Sequence, residues 1–126
     1  MSDRKHDLTE KEKMQRQMLY DANYDQELKA ERLHAKELCY EYNHLRPTEE
    51  TKQKAIIKEL LGKTKKSFDI LAPFFCDYGY HIEIGENFFS NDNLVILDCA
   101  TVTFGDNVFI APNCGFYTAG HPIDSE

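Results

Sequence analysis

The sequence predicts a mainly β fold with an α-helical N-terminal cap, the β part being a parallel β-helix. Three observations predict it. Apolar residues recur at threes and fours through the first half, and from about Phe68 that period vanishes. Ile84-Gly85-Glu86-Asn87 returns as Phe104-Gly105-Asp106-Asn107. Around the later copy an apolar residue stands at every sixth position, Phe104, Ile110 and Phe116, which is the phase of a β-helix wound from hexapeptides.

The cap is legible element by element. Thr9-Glu10-Lys11-Glu12 has the form of a capping box, whose hydroxyl and carboxylate satisfy amides that a first turn leaves free. Met14, Met18 and Leu19 then fall on one helical face. Asp25 suits the N-cap of a second helix, whose apolar positions are Leu28, Ala35, Leu38, Cys39, Tyr42 and Leu45. Pro47 ends it, Thr48 caps a third helix carrying Ile56, Ile57, Leu60 and Leu61, and Gly62 closes that helix. Tyr20, Tyr24, Tyr40 and Tyr42 read as packing on helix faces, and His6, His34 and His44 as cap residues without a chemical role. Lys63, Lys65 and Lys66 in GKTKKS read as a solvated linker. Residues 1–66 are thus the helical cap and residues 67–126 the β-helix.

In the second part each sixth apolar residue points into a narrow core, the small residue after it permits a corner, and Asn or Gly takes the tight turn. Tyr117 departs from the small-residue rule. Three hexapeptides make eighteen residues, yet the two IGxN-like copies lie twenty apart. Two extra residues therefore form a bulge or short loop within FFSNDNLVILDCATVT. Alternating apolar pairs such as Val95 and Leu97 also suit an antiparallel sheet. The sixfold phase and the lack of Asn-Gly or Asp-Gly hairpin turns favour the β-helix.

Composition excludes several functions. A net charge of −7 lacks the basic footprint that nucleic-acid binding needs. No stretch approaches the roughly 20 apolar residues of a membrane span, and MSDRKHDLTEKEK lacks the apolar core of a signal peptide. A cytoplasmic location is the expectation. Cys39, Cys76, Cys99 and Cys114 form no CxxC and match no zinc spacing, so free thiols, most of them buried, are expected.

The runs MLYDANYDQEL, ERLHAKELCYEYNHLRP, CDYGYHIEIGENFFSNDNLVILD and TFGDNVFIAPNCGFYTAGHPID together resemble the maltose/galactoside O-acetyltransferases. CDYGY and HPID are closer to the maltose branch than to the galactoside one. The resemblance implies a helical cap on a left-handed parallel β-helix, a homotrimer with active sites between subunits, and acetyl transfer from acetyl-CoA to a sugar hydroxyl. Family members continue beyond the HP motif through further hexapeptide turns. The chain is therefore expected to be truncated, with an incomplete β-helix of roughly three coils, at about eighteen residues each, and without most of the acetyl-CoA surface.

Acyl transfer to a hydroxyl needs a base for the hydroxyl proton, donors for the oxyanion and a held acceptor. On its spacing alone His121 reads as a surface histidine; as the match to the family's [TG]HP motif it is the catalytic base. The resemblance likewise assigns Asn91 to acceptor contact and stabilisation of developing charge, with a turn residue as its alternative. It makes Asp77, Asp98 and Asp21 contacts of the acceptor sugar, Asp21 on the loosest local match. Cys99 stands where galactoside enzymes have a second acidic residue, so contacts there are expected to differ. His81 reads as a solvent-facing strand residue. The pattern of three metal-binding histidines found in β-helical carbonic anhydrases is missing, so no metal is expected. The expected function is an acetyl-CoA-dependent O-acetyltransferase acting on maltose, glucose or a related sugar. An alternative from another class is a truncated, inactive β-helix module for self-association or a split enzyme. An antibiotic or nodulation-type oligosaccharide as acceptor is a third reading.

Overall fold

The computed structural model describes residues 9–15 and 25–118. Within them three helices, α1 (Glu10–Gln15), α2 (Gln26–Asn43) and α3 (Glu50–Leu60), precede eight short strands. These are β1 (Phe68–Ile70), β2 (Phe74–Cys76), β3 (Ile82–Glu83), β4 (Phe88–Ser90), β5 (Leu94–Leu97), β6 (Val102–Thr103), β7 (Phe109–Ile110) and β8 (Gly115–Tyr117).

The helix starts follow from local chemistry. The Thr9 amide donates to Glu12 Oε1 at 2.9 Å and the Glu12 amide to Thr9 Oγ1 at 3.0 Å, a complete capping box. Asp25 accepts from the Leu28 amide at 2.9 Å. The third helix differs from expectation. Its N-cap is Glu49, not Thr48, because the turn closes one residue later, with the Glu49 amide on the Arg46 carbonyl and Glu49 Oε2 on the Arg46 amide. Its C-terminus also differs: the helix ends at Leu60, and extended Leu61 is the C-cap. Gly62 serves another purpose, since a Cβ there would collide with the Tyr80 carbonyl. Met18, Leu19, Tyr20 and Tyr24 lie outside the described residues.

The strands form three sheets in the orders β1-β4-β7, β2-β5-β8 and β3-β6, and every pairing is parallel. Each residue pairs with the one twenty positions on: Phe68 with Phe88, Phe74 with Leu94, Ile82 with Val102, Phe89 with Phe109 and Val95 with Gly115. A chain that visits three sheets in turn and then stacks on itself is a parallel β-helix. The antiparallel alternative is thereby removed. Lys63 pairs with Glu83 in the same twenty-residue register. The GKTKKS segment is thus the first rung of the third face rather than a free linker, although its lysines are exposed.

Two columns of side chains fill the interior. One runs through Phe68, Phe74, Ile82, Phe88, Leu94, Val102, Val108 and Cys114, and the other through Ile70, Cys76, Ile84, Ser90, Ile96, Phe104, Ile110 and Phe116. Steps are of six residues except between β2 and β3 and between β5 and β6, where they are of eight. The extra pair of residues is therefore the corner at Asp98–Thr101, and the preceding coil carries the same enlargement at residues 77–81. Helices α2 and α3 close one end: Ala35, Leu38, Cys39, Tyr42, Ile56, Ile57 and Leu60 join the same core cluster as the strands. Tyr40 was expected to pack on a helix face with Tyr42 but is 64% exposed, because it lies on the opposite side of α2.

Corners without the insertion are turned by asparagine. Asn87, Asn93, Asn107 and Asn113 all have positive φ between 59° and 72°, and their side chains form ladders, Asn87 to Asn107 at 3.0 Å and Asn93 to Asn113 at 2.9 Å. Asparagine tolerates this left-handed backbone, whereas a residue with an ordinary Cβ is strained by roughly 1–2 kcal/mol. Asn93→Ala is expected to lower stability by about that amount and Asn93→Gly by less, as urea midpoints would show.

Candidate functional site

The enlarged corner between β2 and β3 is the part of the surface where acidic, aromatic and cap residues meet. Asp98 builds it. Fully buried, its Oδ1 accepts from the amides of Asp77 at 3.1 Å and Tyr78 at 2.9 Å, and its Oδ2 from those of Gly79 at 2.8 Å and His81 at 3.2 Å. Four donors on two oxygens leave this carboxylate no free direction. Burial pushes its pKa up from the ordinary carboxylate range, and the amide bonds pull against that rise. Gly79 has φ of 88° and lies against Leu60, so the loop needs glycine there both for its backbone and for its fit to α3.

His81 corrects an expectation. It is 7% exposed rather than solvent-facing, with Nδ1 2.8 Å from the Asp98 carbonyl oxygen and its ring against those of Tyr78 and Tyr80. Its burial depends on the next coil supplying Asp98, which nothing near His81 in sequence announces.

Cap residues brace the loop from the other side. Arg32 Nη1 donates to the Tyr78 hydroxyl at 2.8 Å, and the Tyr80 hydroxyl donates to Glu31 Oε1 at 2.6 Å. Glu31 also pairs with Lys11 at 2.8 Å, whose ammonium lies 4.8 Å from the centre of the Tyr80 ring. Met14, Leu28 and Tyr78 form a small buried cluster beneath, joined by Tyr80 and Cys99. Burial and the Glu31 carboxylate both raise the Tyr80 pKa, so its phenol is a proton donor and not a base. Sequence reading missed Glu31, Arg32, Tyr78 and Tyr80 because their partners lie 46 and 49 residues apart.

Asp77 sits at the mouth of this corner. It is half-buried, held by its amide, with Oδ2 3.8 Å from Cys99 Sγ. Asn91 follows β4 and lies at a different corner of the β-helix. Its backbone is outside the positive-φ region that Asn93 takes two residues later, and its amide donates to the Ile110 carbonyl at 3.0 Å. The structure thus brings Asp77 and Asp98 together and leaves Asn91 apart from them. His121 and Asp21 lie outside the described residues. Among the described residues no group of His, Cys, Asp or Glu could hold a metal. No helix among them is long and apolar enough to cross a membrane.

Comparison with known proteins places this arrangement. Residues 13–65 match the model of the maltose acetyltransferase hexapeptide capping motif. A maltose O-acetyltransferase from Clostridium difficile 630 superposes with a TM-score of 0.88 at 42% identity, over 94% of this chain and 63% of that one. A galactoside acetyltransferase in complex with coenzyme A superposes with a TM-score of 0.78 at 36% identity, over 94% of this chain and 58% of that one. A candidate acetyltransferase of Saccharomyces cerevisiae is 58% identical over 108 residues, which are 86% of this chain and 55% of the yeast protein. Over most of its length the chain is thus similar to hexapeptide-repeat acetyltransferases of the maltose and galactoside kind. It spans 55% to 63% of the length of these relatives.

Proposed function

We propose that the protein moves the acetyl group of acetyl-CoA to a hydroxyl of maltose, glucose or a related sugar. The observation that carries the reading is the braced acidic corner beneath a cap of the maltose acetyltransferase type. Coenzyme A in the galactoside neighbour, and acetyl-CoA in a Vibrio cholerae hexapeptide-repeat acetyltransferase of TM-score 0.79 and 36% identity, support the donor.

In this reading His121 takes the proton of the sugar hydroxyl as its oxygen attacks the thioester carbonyl, and the thiolate of coenzyme A leaves. The Asn91 amide donates to the acceptor and to charge developing in the transition state without itself titrating. Asp77 accepts from sugar hydroxyls, with Asp21 as a second acidic contact from the cap. Asp98, its own oxygens occupied, acts on the acceptor by fixing the Asp77 backbone. Asn91 and Asp77 occupy different corners of one chain, so a site shared between copies in a homotrimer reconciles them. We place the protein in the cytoplasm, where acetyl-CoA is made available.

The test is thiol release from acetyl-CoA with maltose, glucose and thiogalactoside as acceptors, measured on this chain and on a form extended to the length of its relatives. Release that requires maltose or glucose is the expected result. No sugar-dependent release in either form would overturn the reading.

A further inference from the structure

Cys39 on α2 and Cys76 on β2 have their sulfurs 3.9 Å apart, and both are free thiols. The backbones that carry them are clamped together. Asn43, one helical turn beyond Cys39, donates from Nδ2 to the Phe74 carbonyl at 3.0 Å and accepts at Oδ1 from the Phe74 amide at 2.8 Å. Phe74 and Cys76 are alternate residues of one strand and both face inward, so the amide clamp and the sulfur pair are successive rungs of one contact. Tyr42 adds a third tie, from its hydroxyl to the Ile70 carbonyl.

The pair also has access. Each cysteine is 3% exposed, yet both line a cavity of about 460 Å³ with Lys36, Tyr40, Pro73 and Phe75. Tyr40 and Phe75, which also line it, are 64% and 45% exposed, so the cavity that the sulfurs line opens to solvent.

The geometry points to Cys39 and Cys76 as a redox-active dithiol that a peroxide closes to a disulfide, locking the helical cap onto the first coil of the β-helix. The two sulfurs share a hydrogen bond that either thiol can donate; that bond holds the Cys39 pKa below its ordinary value against burial, and Lys36 acts in the same direction as the bond. Cys76 is pushed up by the same bond and by burial. The thiolate is the nucleophile, and Lys36, one turn before Cys39 on α2 and lining the same cavity, favours it there. Cys39 forms an S–O bond as the peroxide O–O bond breaks and water leaves, giving a sulfenic acid. Cys76 then attacks that sulfur, the S–O bond breaks, and its proton leaves with the second water. Two thiols lose two electrons and one peroxide becomes two waters. The sulfurs must close from 3.9 Å to about 2.05 Å, between side chains whose backbones the Asn43–Phe74 clamp holds side by side.

The experiment treats this chain with hydrogen peroxide and counts free thiols, with mapping of linked peptides by mass spectrometry. The Cys99→Ser/Cys114→Ser variant retains only the proposed pair, and its thiol count should fall from two to none, restored by dithiothreitol, with Cys39 and Cys76 joined within one chain. In the unsubstituted protein the Cys39–Cys76 peptide should likewise appear. In Cys39→Ser or Cys76→Ser it should not, and no other link within the chain should replace it. Persistence of both thiols in the double variant, loss that dithiothreitol does not reverse, or links only between chains would overturn the assignment.

Discussion

Asp98→Ala is expected to lower the folding stability by roughly 3–5 kcal/mol, measured as a fall in the urea midpoint. The size follows from what the side chain leaves behind. Four amides, of Asp77, Tyr78, Gly79 and His81, lose their acceptor at once. Each buried donor without a partner costs about 1–3 kcal/mol, less where water enters. The loop can admit some water at half-buried Asp77, which holds the total below the full sum. Asp98→Asn separates shape from charge. It keeps the volume and one accepting oxygen but turns an NH2 group toward two amides, so it should fall between alanine and the native residue. A change below about 1 kcal/mol for alanine, within the range of an ordinary surface substitution, would show that the corner is held by its strands and cap alone.

How much of this was legible in the sequence depends on how far each cause reaches along the chain. Thr9 with Glu12 and Asp25 with Leu28 are contacts across three residues, so the pattern alone reveals them. Thr48 failed as a cap for an equally local reason: the Glu49 side chain folds back on Arg46 and moves the helix start by one residue. The sixfold phase of Phe104, Ile110 and Phe116 marks one wall of the core, and the offset of twenty marks an inserted pair. Where the pair sits needs the pairing of Val95 with Gly115 and of Ile82 with Val102. At the site, Asp77 and Asp98 look alike as letters. Their difference is made by the amides of a loop one coil away, as is the burial of His81.

His121→Ala carries the chemical half of the proposal. In the extended protein it is expected to reduce kcat by about 10²–10⁴-fold, the usual contribution of a general base. KM for maltose should change far less, because the sugar is held by Asp77, Asn91 and Asp21 in this reading. Asp77→Asn should show the reverse pattern, raising KM for maltose more than it lowers kcat, since it alters acceptor contacts without touching the proton transfer. The two variants together distinguish a base from a binding group, which neither does alone. The alanine variant should also lose the rise of rate with pH that an imidazole gives as it becomes neutral. A His121→Ala enzyme with the native kcat and pH profile would remove the histidine from the reaction, and the proton would then have to leave by another group. Neither Tyr80, whose phenol is held protonated by burial beside Glu31, nor Asp98, whose oxygens are taken by four amides, offers one at this corner.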